Sequence, residues 1–462
     1  MMLLSEAATY MNGELLGIND ALVTCVGSDS RKVSQHELFF ALIGENFDGH
    51  QYAEQVIKQG ASAVVIANKN CAARPAILVD DTKKALGRLA AAWRNMFTLP
   101  IVAVTGSNGK TTVKEMLAAI LNATALTTNA NSTVLATQGN FNNDIGMPLT
   151  LLRLRKHHAF AVIEMGMNHL GEIAYLSNVA KPNIAVINNA GTAHIGELGS
   201  RDNIAKAKGE IFEGLSDDGI AVINRDDSYA DYWKSLNKNR KIITFGLDAK
   251  ADVTCSYQAL DGYSQITLST PAGNVNFNLN MLGKHNVSNA LAASACAVAL
   301  GISIDEIAKA LTQFNGVKGR LQRSDGINGA HVINDTYNAN PDSMKAAIDV
   351  LTAQKGIRIF VMGDMGELGE NSVAMHAQIG AYAKQRGITQ LLAFGELCKH
   401  SVDAFGENGN HFDALEAIIN AARSLMKHNV TILVKGSRFM QMERVVEAIE
   451  EKLTEKQLFG EK

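Results

Sequence analysis

The sequence predicts an α/β protein of three domains: a small N-terminal α/β domain, a central domain with a parallel sheet and a phosphate-binding loop, and a C-terminal α/β domain. Short apolar runs that end in glycine or polar residues alternate with amphipathic stretches, a pattern typical of parallel strands covered by helices. At 462 residues and 47% hydrophobic content, the chain is too long for one compact core. We place the domains at residues 1–81, 82–316 and 317–462.

The composition argues against several classes of protein. A net charge of −3 gives no general electrostatic footprint for nucleic acid, so we expect small-molecule partners and no nucleic acid. The five cysteines are widely separated and form no CxxC pair, which argues against a disulfide framework and a zinc site. The N-terminus lacks a basic segment, and the longest apolar stretch, residues 290–300, is too short to cross a bilayer. We expect a cytoplasmic protein without stable membrane insertion.

The N-terminal domain is predicted from short apolar runs. The pattern indicates strands at residues 38–42, 63–66 and 76–79, and a helix at residues 51–59. Two polar clusters flank the first of these strands, Asp29-Ser30-Arg31 before it and Asn46-Phe47-Asp48-Gly49-His50 after it. Turns are rich in these residue types, so the clusters by themselves favour loop chemistry over a binding site.

The central domain is predicted around a strand, a glycine-rich turn and a helix. Ile101 to Val104 form the strand, and the helix carries an apolar stripe that begins at Val113. Between them lies Gly106-Ser107-Asn108-Gly109-Lys110-Thr111. Its backbone N–H groups and the helix start favour phosphate, Lys110 supplies a charge, and Thr111 offers a hydroxyl to a metal ion. The loop is shorter than a standard phosphate loop, which has a glycine where this chain has Val104.

Two polar side chains follow other strands of the predicted central sheet. Glu164 ends the run AFAVIE, and His194 lies shortly after the run NIAVI. Ligands of parallel sheets bind beyond the carboxyl ends of the strands, so both side chains are expected near Lys110 and Thr111. A carboxylate there is where nucleotide-bound Mg²⁺ is usually held, whereas a lone histidine is by itself more often structural.

Lys208 lies within an apolar stripe. Ile204, Lys208 and Ile211 recur at helical spacing, and the stripe continues to Leu215, while Lys206 falls on the polar face. Lys208 is therefore predicted to face inward. Two interpretations follow: the side chain extends to the rim of the core, or it is neutral and chemically modified because burial lowers its pKa.

A second parallel sheet is predicted in the C-terminal domain. Apolar runs recur in AHVIND, RIFVMGD, QLLAFGE and VTILVKGS, separated by helical stretches. After the first run, Asn340 is expected to cap a helix and Pro341 to take its first position. The segment contains no glycine-rich phosphate loop. It must contribute to a site formed elsewhere or bind a second substrate.

These motifs together resemble one family. The set TGSNGKTT, EMG, NNAGTAHIGELGS, AKAKGEIF, LGKHNVSNALAA, GRLQ and DTYNANPDSM, in this order, is similar to the ATP-dependent Mur ligases that build the peptidoglycan stem peptide. The resemblance covers essentially the whole chain and implies a C-terminal domain of Rossmann-like type. Within the family, DSRKV, LFFALIGENFDGH, NFNNDIGMPLT, GDMGELGENSVAMH and KGSRFMQME resemble the branch that joins D-alanyl-D-alanine to UDP-N-acetylmuramoyl-tripeptide.

Three other classes of protein share parts of this pattern. The sister Mur ligase that adds the third stem-peptide residue usually carries a DNPR motif, and this sequence has none. A folylpolyglutamate synthetase has similar chemistry and a similar short loop but would lack the DSRKV and GENFDGH segments. A GTPase-like switch needs an NKxD motif, and the near match at Asn68-Lys69-Asn70 is followed by Cys71 in another domain.

The resemblance implies roles for individual residues. The ATP phosphates would be bound by the loop residues Gly106, Ser107, Asn108, Gly109, Lys110, Thr111 and Thr112. Asn286 would contact the adenine side, Arg320 would reach the nucleotide phosphates from the hinge, and Asp335 would lie at the ribose or in its vicinity. Two Mg²⁺ ions are implied, one on Thr111 and Glu164 and one on His194 and a carbamylated Lys208. Lys110, Lys208 and His194 are the implied catalytic residues. The UDP-linked precursor would contact Ser30, Arg31, Asn46, Asp48, Gly49, His50, Asn142 and Asn143. The C-terminal domain would bind the dipeptide and close on ATP.

The implied reaction is amide formation through an acyl phosphate, with release of ADP and phosphate. A carboxylate does not react with an amine at neutral pH, so ATP must first activate it. Because an acyl phosphate hydrolyses in water, we expect the three domains to close around it. We expect the protein to act as a monomer.

Overall fold

The computed structural model describes residues 1–17 and 20–451. Its strands form three large α/β sheets, and a three-stranded antiparallel sheet lies between the second and the third of these along the chain. The architecture is the predicted α/β class with three sheet-based units. Among the described residues, no helix is long and apolar enough to cross a membrane.

The N-terminal unit is built on a five-stranded sheet of order β2-β9-β8-β5-β4. Its elements are β1 (Met2–Leu3), α1 (Leu4–Met11), β2 (Glu14–Leu16), β3 (Leu22–Val23), β4 (Cys25–Gly27), β5 (Glu37–Phe40), β6 (Ile43–Gly44), β7 (Phe47–Asp48), α2 (Ala53–Lys58), β8 (Ala63–Ile66) and β9 (Ala76–Leu78). The three predicted strands correspond to β5, β8 and β9. The predicted helix at residues 51–59 is divided into a 3-10 turn, Gly49–Tyr52, and α2.

The central unit has a six-stranded parallel sheet of order β11-β12-β10-β13-β14-β15. Its elements are α3 (Thr82–Arg94), β10 (Ile101–Thr105), α4 (Lys110–Thr128), β11 (Thr133–Ala136), α5 (Gly146–Leu151), β12 (His158–Glu164), α6 (Glu172–Ala180), β13 (Ile184–Ile187), α7 (Ile195–Leu198), α8 (Arg201–Gly209), β14 (Ile220–Asn224), α9 (Ala230–Ser235) and β15 (Lys241–Phe245). Strand β10, which precedes the phosphate loop, lies between β12 and β13 and is fully buried.

The side chains of β10 alternate between two hydrophobic layers, because successive strand residues point to opposite faces. Val102 and Val104 pack with Met116 of α4, while Ile101 and Ala103 belong to the core on the other face of the sheet. The loop that follows β10 is therefore anchored on both faces of the sheet. This burial explains why the apolar run predicted the strand correctly.

An antiparallel sheet and two helices complete the middle of the chain. They are β16 (Thr254–Ala259), β17 (Ser264–Thr270), β18 (Gly273–Leu279), α10 (Lys284–Ala299) and α11 (Ile304–Gln313). The antiparallel sheet was not predicted from the sequence. Its strands are only partly buried, with exposed residues alternating with apolar ones, so the continuous apolar runs used to identify central strands are missing.

Two further predictions about the central unit were wrong. The Asn- and Gly-rich composition of residues 137–150 predicts no regular structure, but α5 forms at the end of this segment, and the Gly146 N–H donates to the Asn143 side chain at 2.8 Å just where the helix begins. The helix expected to continue to Leu215 ends as α8 at Gly209 and passes into a 3-10 turn, Glu210–Phe212. Glycine is a weak helix former, which favours this break.

The C-terminal unit has a six-stranded sheet of order β19-β20-β24-β21-β22-β23, in which only the edge strand β19 is antiparallel. Its elements are β19 (Gln322–Asp325), β20 (His331–Asp335), α12 (Pro341–Thr352), β21 (Ile357–Gly363), α13 (Ser372–Gln385), β22 (Gln390–Phe394), α14 (Cys398–Phe405), β23 (Gly409–Phe412), α15 (Leu415–Leu425), β24 (Val430–Lys435) and α16 (Glu443–Ile449). The predicted parallel strands are β20, β21, β22 and β24. Asn340 caps α12 and Pro341 is its first residue, as predicted.

Candidate active site

The phosphate loop lies at the carboxyl end of β10 and leads directly into α4. Gly109 precedes the helix with φ +79°, and a Cβ atom there would lie 2.2 Å from Asn289 Oδ1. Both the backbone angle and the space therefore require glycine. The Lys110 Nζ folds back and donates a hydrogen bond to the Gly106 carbonyl at 2.6 Å. The Ser107 hydroxyl is buried in the loop with no hydrogen-bond partner, which suits a cradle for an anionic group.

Thr111 and Glu164 meet at the mouth of this loop, as predicted. The Thr111 hydroxyl donates to Glu164 Oε2 at 2.9 Å, and the Asn142 amide donates to Glu164 Oε1 at 2.8 Å. The Glu164 carboxylate is buried at 2% exposure. A buried carboxylate oxygen beside a hydroxyl is a donor set that suits Mg²⁺, so these residues fit the implied metal.

Lys208 is buried at 1% exposure, whereas Lys206 on the same helix is exposed. Burial lowers the pKa of the Lys208 amine well below its usual value, the positive charge of Lys110 lowers it further, and Asp227 opposes the shift. The inward direction was predicted correctly. Lys208 is not among the residues that line the main cavity, however, whereas Lys110 and Asp227, the two charged groups that affect its pKa, both line it.

His194 lies in the loop after β13 with a left-handed backbone, φ +63°. Its Nδ1 is 2.9 Å from Glu367 Oε2 of the C-terminal unit, but the two groups are not aligned for a hydrogen bond. The contact with His194 is the main reason that the pKa of Glu367 is lowered. Sequence reasoning missed Glu367, because nothing in the local pattern of GDMGELG indicates a contact with another domain.

Two predicted residues of the C-terminal unit line the cavity, and one of them, Arg320, contacts Thr111 directly. Arg320 donates from Nη2 to the Thr111 hydroxyl at 2.9 Å, its guanidinium lies 4.1 Å from the Tyr337 ring centroid, and its Nε is buried without a partner. Asp335 lines the same cavity, but its carboxylate is bound by the buried Lys435 Nζ at 2.6 Å. Arg320 is therefore placed to contact phosphate, while Asp335 is already held by a cation.

Further contacts join the same two units and were not predicted. The Asn340 side chain donates to Asn108 Oδ1 at 2.7 Å, and Asp342 accepts from the Thr192 N–H at 2.7 Å and from its hydroxyl at 2.9 Å. The sequence identified Asn340 only as a helix cap. When the side-chain oxygen of Asn340 caps the helix, its side-chain NH₂ group remains free to donate another hydrogen bond. The sequence does not show that this group donates to Asn108 of another domain.

Asn286 lies on the other side of the phosphate loop, in the first turn of α10. Its amide donates to the Leu282 carbonyl at 2.8 Å, and its oxygen accepts from Asn289 at 3.1 Å. Asn289 in turn accepts from Asn188 at 2.8 Å. Asn286 lines the cavity, so its predicted position beside the nucleotide is compatible with the structure.

The residues predicted to bind the UDP-linked precursor fall into two groups. Asn142 and Asn143 line the main cavity, whereas Ser30, Arg31, Asn46, Asp48, Gly49 and His50 do not. The turn that contains Asn46 reaches the cavity through its preceding residues, 43–45. Asp48 and His50 stabilise this turn, because His50 Nδ1 lies 2.6 Å from Asp48 Oδ1 and His50 Nε2 accepts from the Ala67 N–H at 3.0 Å.

All three units line one cavity of about 1890 Å³. The phosphate loop and Glu164 form its centre, Ile43 to Glu45 form part of one wall, and residues 435–439 of the C-terminal unit form part of another. A volume of this size exceeds that of an ordinary small-molecule pocket. The cavity is large enough for more than one small-molecule ligand.

A phosphate loop, an adjacent carboxylate and three sheet units around one cavity define a nucleotide-dependent enzyme of the Mur ligase type. Family models match residues 22–94 (Mur ligase family, catalytic domain), 104–297 (Mur ligase middle domain) and 319–438 (Mur ligase, glutamate ligase domain). The protein of Haemophilus influenzae called UDP-N-acetylmuramoyl-tripeptide--D-alanyl-D-alanine ligase is 41% identical, with 97% of this chain and 98% of that protein covered. The chain belongs to the Mur ligase family.

Solved structures agree with this assignment. A crystal structure of MurF from Acinetobacter baumannii matches with a TM-score of 0.90 and 36% identity, over 96% of this chain and 98% of that one. The structure of MurF ligase from Thermotoga maritima in complex with ADP matches with a TM-score of 0.82 and 27% identity, over 93% of this chain and 98% of that one. Both matches cover all three sheet units, so the resemblance inferred from the sequence motifs is confirmed.

Proposed function

We propose that this chain is an ATP-dependent ligase that joins D-alanyl-D-alanine to UDP-N-acetylmuramoyl-tripeptide and releases ADP and phosphate. The observation that carries the proposal is the single cavity in which the phosphate loop, the Thr111–Glu164 pair and the Arg320 contact come together. Full-length relatives named for this reaction support the substrate pair. The sister ligase and the folylpolyglutamate synthetase have less support.

ATP would bind with its phosphates on the loop of residues 106–112. The ADP in the Thermotoga maritima relative supports a nucleotide at this site. Lys110 would exchange its bond to the Gly106 carbonyl for a phosphate oxygen, and the free Nε of Arg320 would approach from the C-terminal unit. Two cations directed at one phosphate stabilise the charge that accumulates during phosphoryl transfer.

Thr111 and Glu164, which contact each other, would hold one Mg²⁺ ion. The family resemblance implies a second ion on His194 and a carbamylated Lys208, although His194 lines the cavity and Lys208 does not. When bound, these ions would neutralise phosphate charge and orient the transferred group. Burial supports the lysine modification, because a neutral amine can form a carbamate with carbon dioxide whereas an ammonium cannot. The Glu164 carboxylate, held from both sides by Thr111 and Asn142, has little freedom to rotate.

The reaction would proceed in two steps. The terminal carboxylate of the tripeptide attacks the γ-phosphorus of ATP, and ADP leaves, which gives an acyl phosphate. The free amine of D-alanyl-D-alanine, after loss of a proton, then attacks the acyl carbon, and phosphate leaves as the amide forms. The C-terminal unit encloses the site through its contacts with Asn108 and Thr192, which would protect the acyl phosphate from water.

The precursor would lie between the N-terminal unit and the central unit. Asn142 and Asn143 would contact its sugar and peptide, and the segments of Ser30-Arg31 and Asn46 to His50 its UDP end. Because Gly44 and Glu45 reach the cavity, the turn that they begin is the part of the N-terminal unit best placed for this contact. The monomeric state and the cytoplasmic location stay predictions.

Phosphate release under matched conditions tests the proposed function. The protein is incubated with ATP and Mg²⁺ in three mixtures: UDP-muramoyl-tripeptide with D-alanyl-D-alanine, UDP-muramoyl-dipeptide with a diamino acid, and folate with glutamate. We expect substrate-dependent phosphate and an amide product only in the first mixture. Phosphate release and product in either of the others instead would contradict the proposal.

A further inference from the structure

Two loops of the C-terminal unit form one wall of the cavity. None of the ligand contacts assigned above involves this wall. The loop after β21 contributes Gly366, Glu367 and Leu368, and the loop after β24 contributes residues 437–439. We call these six residues the acceptor wall. The Gly366 N–H donates to Ser437 Oγ at 2.8 Å, and the Ser437 N–H donates to the Asp364 carbonyl at 3.0 Å. The two loops therefore form one surface.

A buried polar cluster supports this wall from behind. Asp364 accepts from the Cys398 N–H at 2.9 Å, and His376 Nε2 accepts from the Met365 N–H at 3.0 Å. Since Nε2 is an acceptor, the His376 ring proton is on Nδ1, which donates to the Ser372 carbonyl at 2.7 Å. The carboxylate, imidazole and thiol lie close enough to suggest a metal site, but the hydrogen bonds already occupy the imidazole. The cluster fixes the backbone of the acceptor wall.

Six cationic side chains line the cavity, namely Lys83, Lys110, Arg201, Arg320, Lys435 and Arg438. Lys110 and Arg320 contact the phosphate loop itself. Lys435 is 2% exposed and bound to Asp335. These three are already committed to the nucleotide site or to a buried ion pair.

The remaining cations differ in their surroundings. Lys83 pairs with Asp144, and Arg201 donates to the Ala190 carbonyl at 2.9 Å, so both are held by the central unit. Arg438 belongs to the acceptor wall, and its side chain is 64% exposed although Nη1 contacts Glu443 at 2.9 Å. A guanidinium has donors on two edges, so one edge of Arg438 remains available for a carboxylate.

We propose that Arg438 binds the terminal carboxylate of the incoming dipeptide and that Phe439 packs against its methyl groups. This inference rests on the proposed function and assigns the residues that select its second substrate. Phe439 also lines the cavity and is 64% exposed, so its ring is accessible to an apolar group of a ligand. The Phe439 ring packs over Gly366, where a Cβ atom would lie 3.0 Å from Cε1. A glycine at this position lets the Phe439 ring lie close to the backbone of the wall, with its exposed part towards the cavity.

The same placement orients the reacting amine. Glu367 follows Gly366 in the wall and contacts His194 beside the phosphate loop. We place the dipeptide along the wall, with its carboxylate at Arg438 and its amino group towards Glu367, which lines the same cavity; an extended dipeptide spans about 7 Å. A carboxylate attracts an ammonium group, and the resulting orientation brings the nucleophile towards the acyl phosphate.

A paired change of enzyme and substrate tests the role of Arg438. The wild type is compared with Arg438→Met, using D-alanyl-D-alanine and D-alanyl-D-alaninamide, which lacks the terminal charge. For the wild type we expect kcat/KM to fall roughly 10- to 100-fold with the amide, the range of a charged hydrogen bond. For Arg438→Met we expect the KM for the dipeptide to rise by a similar factor and the preference for the acid over the amide to disappear.

Controls separate this role from a general effect. Arg444→Met removes an exposed arginine that pairs with Glu416 at 3.4 Å outside the cavity, and it should keep the wild-type preference. Arg438→Lys keeps the charge without the planar fork and should show an intermediate preference. The KM values for ATP and the UDP-linked precursor should not change in any variant.

Two results would overturn the inference. If Arg438→Met still prefers D-alanyl-D-alanine over the amide by the wild-type factor, another group binds the terminal carboxylate. If the wild type uses the acid and the amide equally well, no residue recognises the terminal carboxylate. Either result leaves the proposed function intact, whereas a wild type that joins neither substrate to the precursor would instead remove the proposed function.

Discussion

Lys208 shows how one side chain can combine structural and chemical demands. It is 1% exposed in a helix packed on the central sheet, and burial lowers the pKa of its amine. Burying an unpaired ammonium group would destabilise the folded protein by several kcal/mol. A carbamate on Lys208 would instead be negatively charged, and a bound metal cation would neutralise that charge. This reasoning favours modification over a simple positive charge.

The first prediction concerns this lysine. Lys208→Ala should lose at least about 100-fold in kcat, the scale of a lost electrostatic group in an active site, and acetate or formate should restore part of the rate by filling the vacated space. Lys208→Arg should be inactive as well. Lys206→Ala, which changes an exposed lysine of the same helix, is the control and should behave as the wild type.

The alternative role of Lys208, as a positive charge that contacts phosphate, predicts different results for the same variants. If Lys208 acts as a positive clamp on phosphate, the arginine variant should keep activity, and added anions should only inhibit. Steady-state rates of both variants, measured with and without the short acids, distinguish the two interpretations.

A second prediction at this scale separates two binding events. Lys110→Ala should reduce ADP formation by at least about 100-fold, because the loop loses the positive charge of Lys110. In the structure, the Nζ of this lysine donates a hydrogen bond to the Gly106 carbonyl. Binding of the UDP-linked precursor should be nearly unchanged, since most of its predicted contacts are on other elements. Calorimetric titration with the precursor checks this, and an equal loss of binding and turnover would contradict the separation.

Site residues could be predicted from the sequence where each lies at the end of a strand that is itself recognisable from its apolar run. Lys110, Thr111 and Glu164 follow strands whose apolar runs are unmistakable, and the structure brings them together. Glu367 and Asp342 were missed because they act across a boundary between units. A contact between segments far apart in sequence depends on how the units pack, and residue spacing contains no information about that.

At the scale of elements, the strand, loop and helix from Ile101 to Thr128 act as one piece. The loop geometry depends on the left-handed Gly109, which allows α4 to begin directly against Asn289. Continuous apolar runs predicted β10, β12 and β13 well, because these strands are covered on both faces. The antiparallel strands β16 to β18 were not identified, since one face is exposed and the apolar signal is diluted.

The third prediction uses two glycines that both precede helices with left-handed backbones. Gly109 has φ +79° and no room for a Cβ atom, whereas Gly171 has φ +88° and nothing within 4 Å. Gly171→Ala should therefore cost only backbone strain, about 1–2 kcal/mol. Gly109→Ala should add a steric clash with Asn289 and abolish nucleotide binding.

Thermal unfolding and binding of a fluorescent ATP analogue measure these two effects. We expect Gly171→Ala to bind the analogue with the affinity of the wild type at a slightly lower Tm. A Gly109→Ala protein that binds the analogue normally would show that the loop can adopt another conformation, and the proposed fit of the cradle would be wrong.

At the scale of the whole molecule, we expect catalysis to depend on contact between the C-terminal unit and the central unit. Among the described residues, the side-chain contacts that join them near the phosphate loop include Arg320 with Thr111, Asn340 with Asn108, Asp342 with Thr192, and Glu367 with His194. Each is a polar contact between loops or helix starts, and interfaces of this kind permit relative motion of domains. ATP and the precursor would add contacts to both sides and favour the closed arrangement.

The last prediction follows from this interface. Addition of a non-hydrolysable ATP analogue and the UDP-linked precursor should reduce the radius of gyration of the wild type in small-angle scattering. Asp342→Ala should weaken this compaction, because the Thr192 N–H and hydroxyl lose their shared acceptor. Asp231→Ala removes an exposed carboxylate that pairs with Arg225 inside the central unit and should leave the compaction unchanged. A wild type whose scattering is identical with and without both ligands would show that closure is complete beforehand, and the ligands would then have no part in it.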